Sequence, residues 1–403
     1  MLNSHSVSFS YQFKRLDQLL HRYQDYWQFS PFEQQARPWQ NPALDAYLEQ
    51  LEPKQQQTPA QTKQADEGLI AFFPELAEAL ESLALASSKA DKLATPFWLN
   101  TGIKGRKAEQ IQAFSELLQG EQLPILEWCA GKGHLGRLLS FHHQLKVDSL
   151  EWQASLCEAG QHTSDKLKLR QQFHHCDVLS PQAQDFIKPQ QHVVALHACG
   201  ELHLQLLRLA GQQQPQQLSL CPCCYHLITA PHYQPLSSEA RASDLRLSKA
   251  DLRLAVAQSV TSGQRVQTLR QRELHWRLSY QCLREQITGQ AHYQALPSLA
   301  KHWFSQQATF VDFARWAAQQ HGLHLPQQLD EPALLALGQA RHQQVQRLEL
   351  VQQLFRPLLE RWLLLDRCLY LQQLGYKVEL IELFPFTISP RNSLIQAQLE
   401  PQT

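Results

Sequence analysis

Residues 125–139, ILEWCAGKGHLGRLL, constrain this 403-residue chain more than any other stretch. Strand-forming residues end at Glu127–Trp128, Gly131 and Gly133 bend the backbone, and a helical stripe containing Gly136 starts near His134. Glycine is needed where a chain turns sharply and approaches a ligand with no Cβ in the way. A strand, a glycine turn and a helix in that order belong to a parallel sheet whose strand ends hold a ligand.

The flanking sequence repeats the pattern. Strand-like runs LPILEW (123–128), KVDSLEW (146–152), QFHHCDV (172–178), HVVALHA (192–198) and QLSLCP (217–222) alternate with helix-length segments such as HLGRLLSFHH and ELHLQLLRLAG. Alternation of this kind predicts a doubly wound α/β sheet covered on both faces. Near the end, YKVELIELFPF and SLIQAQLE alternate as two strands joined by TISPRN, an antiparallel hairpin. The expected organisation is an N-terminal helical region over 1–95 with a polar linker near 53–68, and an α/β core over 96–230. A helical insertion over 231–374, a possible substrate domain, and a completing hairpin over 375–403 follow. Gly375 is the expected stop of the last insertion helix.

Composition narrows the setting. The start carries no charged-then-apolar leader and no apolar run approaches 18 residues, so neither a signal peptide nor a membrane helix is expected. The nine cysteines read as reduced thiols of a cytoplasmic protein. Basic and acidic residues balance at 37 each, so any polyanion would have to be gripped by a local patch.

Gly131-x-Gly133-x-x-Gly136 with Glu151 about 20 residues on also fits a dinucleotide fingerprint, and an NAD-dependent enzyme stays open as an alternative. Three features favour S-adenosylmethionine. Glu127, at the strand end, can pair with the ammonium of a methionine moiety, whereas a pyrophosphate would be repelled. The terminal hairpin is the usual finish of a methyltransferase sheet. Asp177, just after the third strand, can hold an adenine amino group. Glu151 can accept ribose hydroxyls, with Asp148 as its competitor; a solvated strand end is the plain alternative for each acid. No GxxxxGK[ST] frame surrounds Lys132, which excludes a P-loop.

CAGKGHLG, LHACGEL, CPCCYH and the late ISPRN together resemble the methyltransferase-32 domain family of S-adenosylmethionine-dependent enzymes. HACG and the Cys-Cys-x-His run are similar, more distantly, to tRNA 2′-O-methyltransferases. GIKGRKAEQI (102–111) looks like the family's basic motif before the first strand. The resemblance covers about 100–230 and 375–397. It implies a Rossmann-like class I fold and S-adenosylmethionine as cofactor. One departure stands out: Cys129 occupies the place of the first glycine of E-x-G-x-G-x-G.

With that fold, LHACG and CPCCYH end neighbouring strands, so His197, Cys199, Cys223, Cys224 and His226 surround the methyl group and its acceptor. The expected cofactor set is Glu127, Cys129, Gly131, Gly133, Glu151 and Asp177, with His197 and Cys199 at the methyl end. His197 and His226 have the pKa class of a general base, and a hydrogen-bonded wall residue is the alternative for each. No metal is expected: Cys221-Pro-Cys223-Cys224 is too tight for structural zinc, and successive strand side chains point to opposite faces. If a metal were bound, His197, Cys199, Cys223 and His226 would be its set. A covalent cysteine mechanism is less favoured, and Cys221 reads as packing.

An RNA substrate is expected, with protein methylation or non-catalytic binding as alternatives. Lys104, Arg106 and Lys107 cluster before a helix. Arginines over 239–285, with Trp276 and Tyr280 interleaved, could bind phosphates and stack bases, although arginines at helical spacing also describe a solvated face. The remaining expected substrate contacts are Cys223, Cys224, Tyr225, Arg391 and Asn392.

Overall fold

A computed structural model describes residues 8–51, 67–88, 90–103, 105–118, 120–257, 264–304 and 308–401. Most of the linker expected near 53–68 lies outside them. Two compact units form: Met1–Arg22, Glu75–Gln258 and Arg356–Thr403 make one, Tyr23–Pro74 and Ser259–Phe355 the other.

The first unit is built on a seven-stranded sheet: β1 Ile125–Glu127, β2 Val147–Glu151, β3 Gln171–His175, β4 His192–Cys199, β5 Gln217–Cys223, β6 Tyr376–Glu382 and β7 Ser393–Leu399. Their order is β3-β2-β1-β4-β5-β7-β6. The first five run parallel, while β7 enters between β5 and β6 antiparallel to both. This is the Rossmann-like class I order. β1 is wholly buried, as a strand covered on both faces must be, whereas edge strand β6 alternates buried Tyr376, Val378 and Leu380 with exposed Lys377 and Glu379.

The helices Arg106–Leu117 and His134–His143 cover one face through Ile111, Phe114, Leu135, Leu138 and Leu139, which pack on Ile125, Val147 and Val194. The 231–374 segment is divided between the units. Its last helix, Glu331–Gln373, is apolar nearly all round beyond Arg356, with Leu358, Leu359, Trp362, Leu363 and Leu369 buried, so that part is core of the sheet unit. Gly375 follows with φ 89°, a left-handed stop before β6.

The second unit has an aromatic core of its own, with Trp276, Tyr280, Phe304, Phe310 and Phe313 packed together. Tyr23, Tyr26, Trp39, Phe73 and Phe355 form a second aromatic group within it. Among the described residues no helix is long and apolar enough to cross a membrane.

Candidate functional site

The glycine turn leaves the C-terminal end of β1. Ala130 N donates to Leu150 O at 2.8 Å, and Gly131 N donates to Glu151 Oε2 at 2.9 Å, which binds the turn to the end of β2. Each glycine has a different reason. A Cβ on Gly133 would stand 2.2 Å from the Phe173 ring, and one on Gly136 would stand 2.5 Å from Glu127 Oε2, so both allow helix–sheet contact. Gly131, with φ 60°, has no atom within 4 Å of that position, so the backbone there is open to a ligand. Cys129 also takes a left-handed φ of 58°. The turn keeps the glycine conformation at this position and carries the strain of a side chain there, about 1–2 kcal/mol.

Glu127 lies under the turn, only 4% exposed. Its Oε2 accepts from Ser149 Oγ at 2.7 Å. Burial raises its pKa to about 7, against the lowering pull of Ser149, the Gly136 backbone, Lys107 and Arg137. A fixed cation beside it would be welcome, because the site already carries the cost of a desolvated carboxyl.

At the end of β2, Glu151 is buried and accepts from Gly131 N and, at 3.0 Å, from Gln153 N. Trp152 follows it and is 65% exposed. Beyond β3, exposed Asp177 accepts from Leu179 N at 2.9 Å through Oδ1. Cys129 sits amid this set: burial raises its thiol pKa, and Glu151, Cys199, Asp177 and Glu127 add to the rise. Glu127, Glu151, Asp177 and Cys199 thus all act on the one thiol of Cys129, beside the turn that holds Gly131. An exposed indole directly after Glu151 has an apolar face to lay against a purine. Trp152 has no motif to announce it, and its position directly after the ribose-class acid is the signal that could have found it.

The other half of the site is at the ends of β4 and β5. Their register pairs Cys199 with Cys223 after an irregularity between Leu196 and Cys199. There His197 takes φ 61° and Cys224 takes φ 47°. His197 Nε2 lies 2.9 Å from Gln110 Oε1, on the helix that also carries Lys107. Burial lowers the His197 pKa to about 4, with Lys107 and Arg391 adding to the fall and Cys224 opposing it. His226 is also lowered by burial, and Arg253 acts in the same direction.

The expectation that Cys223 and Cys224 face apart is overturned. β5 ends at Cys223, and the left-handed Cys224 turns its side chain back. The sulfurs of Cys199, Cys223 and Cys224 all lie within 4.8 Å of one another, with Cys199 and Cys223 at 3.3 Å. His197 and His226 are not part of that group. Cys221 is fully buried and donates to Ser393 O at 3.2 Å.

Two expected substrate contacts point elsewhere. Tyr225 is 1% exposed, with the Arg367 guanidinium 5.0 Å from its ring centre, so it offers no face to an acceptor. Asn392 is buried and donates from Nδ2 to Glu382 Oε1 at 2.6 Å and to Phe384 O at 2.9 Å; it closes the β6–β7 connection. Arg391 remains near the acceptor end, acting on His197, Cys224 and Tyr225. Arg106 and Lys107 are exposed on their helix, and Lys104 lies outside the described residues.

The arginine-rich stretch is not one patch. Its members fall in both units, and several serve as internal ties: Arg246 to Ser243 O, Arg272 to Phe304 O, Arg277 to Pro297 O and Arg284 to Gln290 O. Trp276 and Tyr280 are buried. A support that has no sequence signature holds the cysteine loop instead. Arg367 donates to His203 Nε2 at 3.0 Å beneath Tyr225, and Asp366 accepts from Tyr233 Oη at 2.6 Å and Ser237 N at 2.7 Å.

Residues 106–231 match the model of a methyltransferase domain family. Similar solved structures include a tRNA (uracil-54, C5)-methyltransferase from Pyrococcus abyssi, in complex with S-adenosyl-L-homocysteine, at 18% identity and TM-score 0.23. The match covers 28% of this chain and 26% of that one, so this chain spans about a quarter of its length. A geranyl diphosphate C-methyltransferase from Streptomyces coelicolor A3(2) matches at 14% identity and TM-score 0.21, over 34% of this chain and 56% of that one. A cyclopropane synthase from Mycobacterium tuberculosis matches at 11% identity and TM-score 0.25, over 84% and 95%. The fold rests on its own strand order and on the turn between Glu127 and Glu151 rather than on these scores. Residues 106–231 thus match a methyltransferase domain family and, with the strand order of the sheet, carry a methyltransferase domain of the S-adenosylmethionine-dependent class.

Proposed function

We propose that this protein methylates RNA, with an oxygen as the acceptor atom. When bound, S-adenosylmethionine supplies an electrophilic methyl group. Glu151 would hold the ribose hydroxyls, Trp152 and Asp177 the adenine, and Glu127 the charge of the amino-acid end. The methyl end would then lie toward Cys199 and His197, where β4 and β5 finish.

The observation that carries the RNA reading is the charge around that end. Lys107 and Arg253 are exposed and act on His197 and His226 respectively, while Arg391, which also acts on His197, is held by Val256 O and Glu360. Phe97, 91% exposed, and Trp98, 48% exposed, precede the Lys107 helix and could stack unpaired bases. Exposed cations and aromatics of this kind would suit a phosphate-rich strand.

Chemistry at oxygen needs a place for the hydroxyl proton. With Gln110 Oε1 as acceptor, His197 Nε2 keeps its proton and Nδ1 is the nitrogen that can take one. Its low pKa keeps the ring neutral at pH 7, able to receive the proton as the bond to methyl forms. The test is transfer of tritiated methyl from labelled S-adenosylmethionine in cell extract. Label in product that RNase destroys and protease spares supports RNA; label that survives RNase and is lost to protease makes a protein the substrate.

A further inference from the structure

The geometry points to a metal site at the end of β4 and β5, in which Cys199, Cys223 and Cys224 hold a zinc-class divalent ion as thiolates. All three sulfurs lie within 4.8 Å of one another, and the Cys199–Cys223 pair stands at 3.3 Å. A tetrahedral zinc with bonds of about 2.3 Å sets its sulfurs about 3.8 Å apart. The observed cluster brackets that spacing, so an ion can be taken up with side-chain adjustments alone.

The backbone is bent to make the group. Cys224 is a non-glycine residue at φ 47°, and without that turn its side chain would leave on the other face from Cys223. Such a conformation costs about 1–3 kcal/mol and persists only where surroundings enforce it. Here they do: Tyr225, the next residue, is locked under Arg367. Three thiols packed only as apolar filler would not require this.

A second observation comes from nitrogen. His226 Nδ1, two residues past Cys224, is buried and has no hydrogen-bond partner among the described residues. A polar atom left so is costly; because the His226 ring lies outside the 4.8 Å group, it would have to swing toward the sulfurs to serve as fourth donor to zinc. Charge also agrees, because three thiolates around a divalent cation leave one negative charge, and the Arg391 guanidinium is near enough to favour charge on Cys224.

The test uses the full chain purified under reducing conditions, with zinc measured by elemental mass spectrometry and Co2+ used as a spectroscopic substitute. One equivalent of zinc is expected, and the cobalt form should show the sulfur-to-metal charge-transfer band and intense visible bands of a tetrahedral thiolate site. Cys224→Ser, which removes a direct ligand, should weaken binding by more than the roughly hundredfold that loss of an outer-shell partner costs, while Cys157→Ser, at a thiol outside the cluster, should leave it unchanged. Wild-type protein that holds no zinc and gives only the weak spectrum of octahedral Co2+ overturns the site. So does a Cys224→Ser protein with wild-type affinity. Should the serine variant fail to fold, the wild-type cobalt spectrum decides alone. Metal content is read without methyl transfer, so this result stands apart from that of the RNA reading.

Discussion

Gln110 Oε1 lies 2.9 Å from His197 Nε2 and so joins the helix before β1 to the distorted end of β4. The contact places exposed Lys107, one turn earlier on the same helix, on the acceptor side of the sheet. It also sets which nitrogen of His197 can work as a base.

Two consequences follow for the pH profile. With a pKa near 4, His197 is already neutral at pH 5, so methyl transfer should show no loss centred near the ordinary histidine value. Activity dependent on His197 is lost only as pH falls through about 4. His197→Ala should lower kcat about a hundredfold or more with little change in the Kd for S-adenosylmethionine. A His197→Ala enzyme with full kcat contradicts a proton-accepting role.

Gly131 and Gly133 separate ligand contact from packing. Gly131→Ala should fold, with a loss of about 1–2 kcal/mol from its left-handed φ, and should bind S-adenosylmethionine at least about tenfold more weakly. Gly133→Ala meets the Phe173 ring and should be the more destabilised of the two in thermal unfolding. The reverse order would mean that the open side of the turn is not where the ligand binds.

Cys129→Gly should relieve the strain at φ 58°, leaving stability equal or up to about 1 kcal/mol higher. Chemical denaturation of the two proteins checks this. A large loss would show that the thiol, not the backbone, matters at this place.

Glu127 gives a pH signature. Its folded pKa of about 7 lies above the ordinary 4.5, so the stability contributed by its neutral form is complete below about 4.5 and lost as pH rises through about 7. Glu127→Gln should therefore gain on wild type in stability between about pH 5 and 8. A ligand cation nearby favours the ionised form, so S-adenosylmethionine should bind more tightly as pH rises through that range, releasing a proton. Calorimetry in buffers of different ionisation heat measures the release; pH-independent affinity contradicts the pairing.

Much of the scaffold was legible because it is local. HLGRLLSFHH is a helix over His134–His143, and the five parallel strands and the terminal hairpin lie where alternation and turn residues put them. What could not be read depends on contacts distant in sequence or on unusual backbone. Period-two reasoning put Cys223 and Cys224 on opposite faces, and one left-handed residue reversed that. Tyr225 looked like an acceptor contact until Arg367, 142 positions later, proved to cover it. Asn392 reads as a substrate contact in the sequence, yet its amide is spent on Glu382 and Phe384. The 231–374 stretch reads as one helical block, because periodicity does not tell that its final helix passes into the core of the sheet unit.

The most direct test of the central claim is a calorimetric titration of the full chain with S-adenosylmethionine, alongside Glu151→Ala and Trp152→Ala. The wild type should bind one equivalent. Glu151→Ala should lose about ten- to a hundredfold in affinity, as hydrogen bonds to a charged group are removed, and Trp152→Ala a comparable amount through lost stacking. No heat with S-adenosylmethionine, or saturable binding of a nicotinamide dinucleotide in its place, would contradict the account.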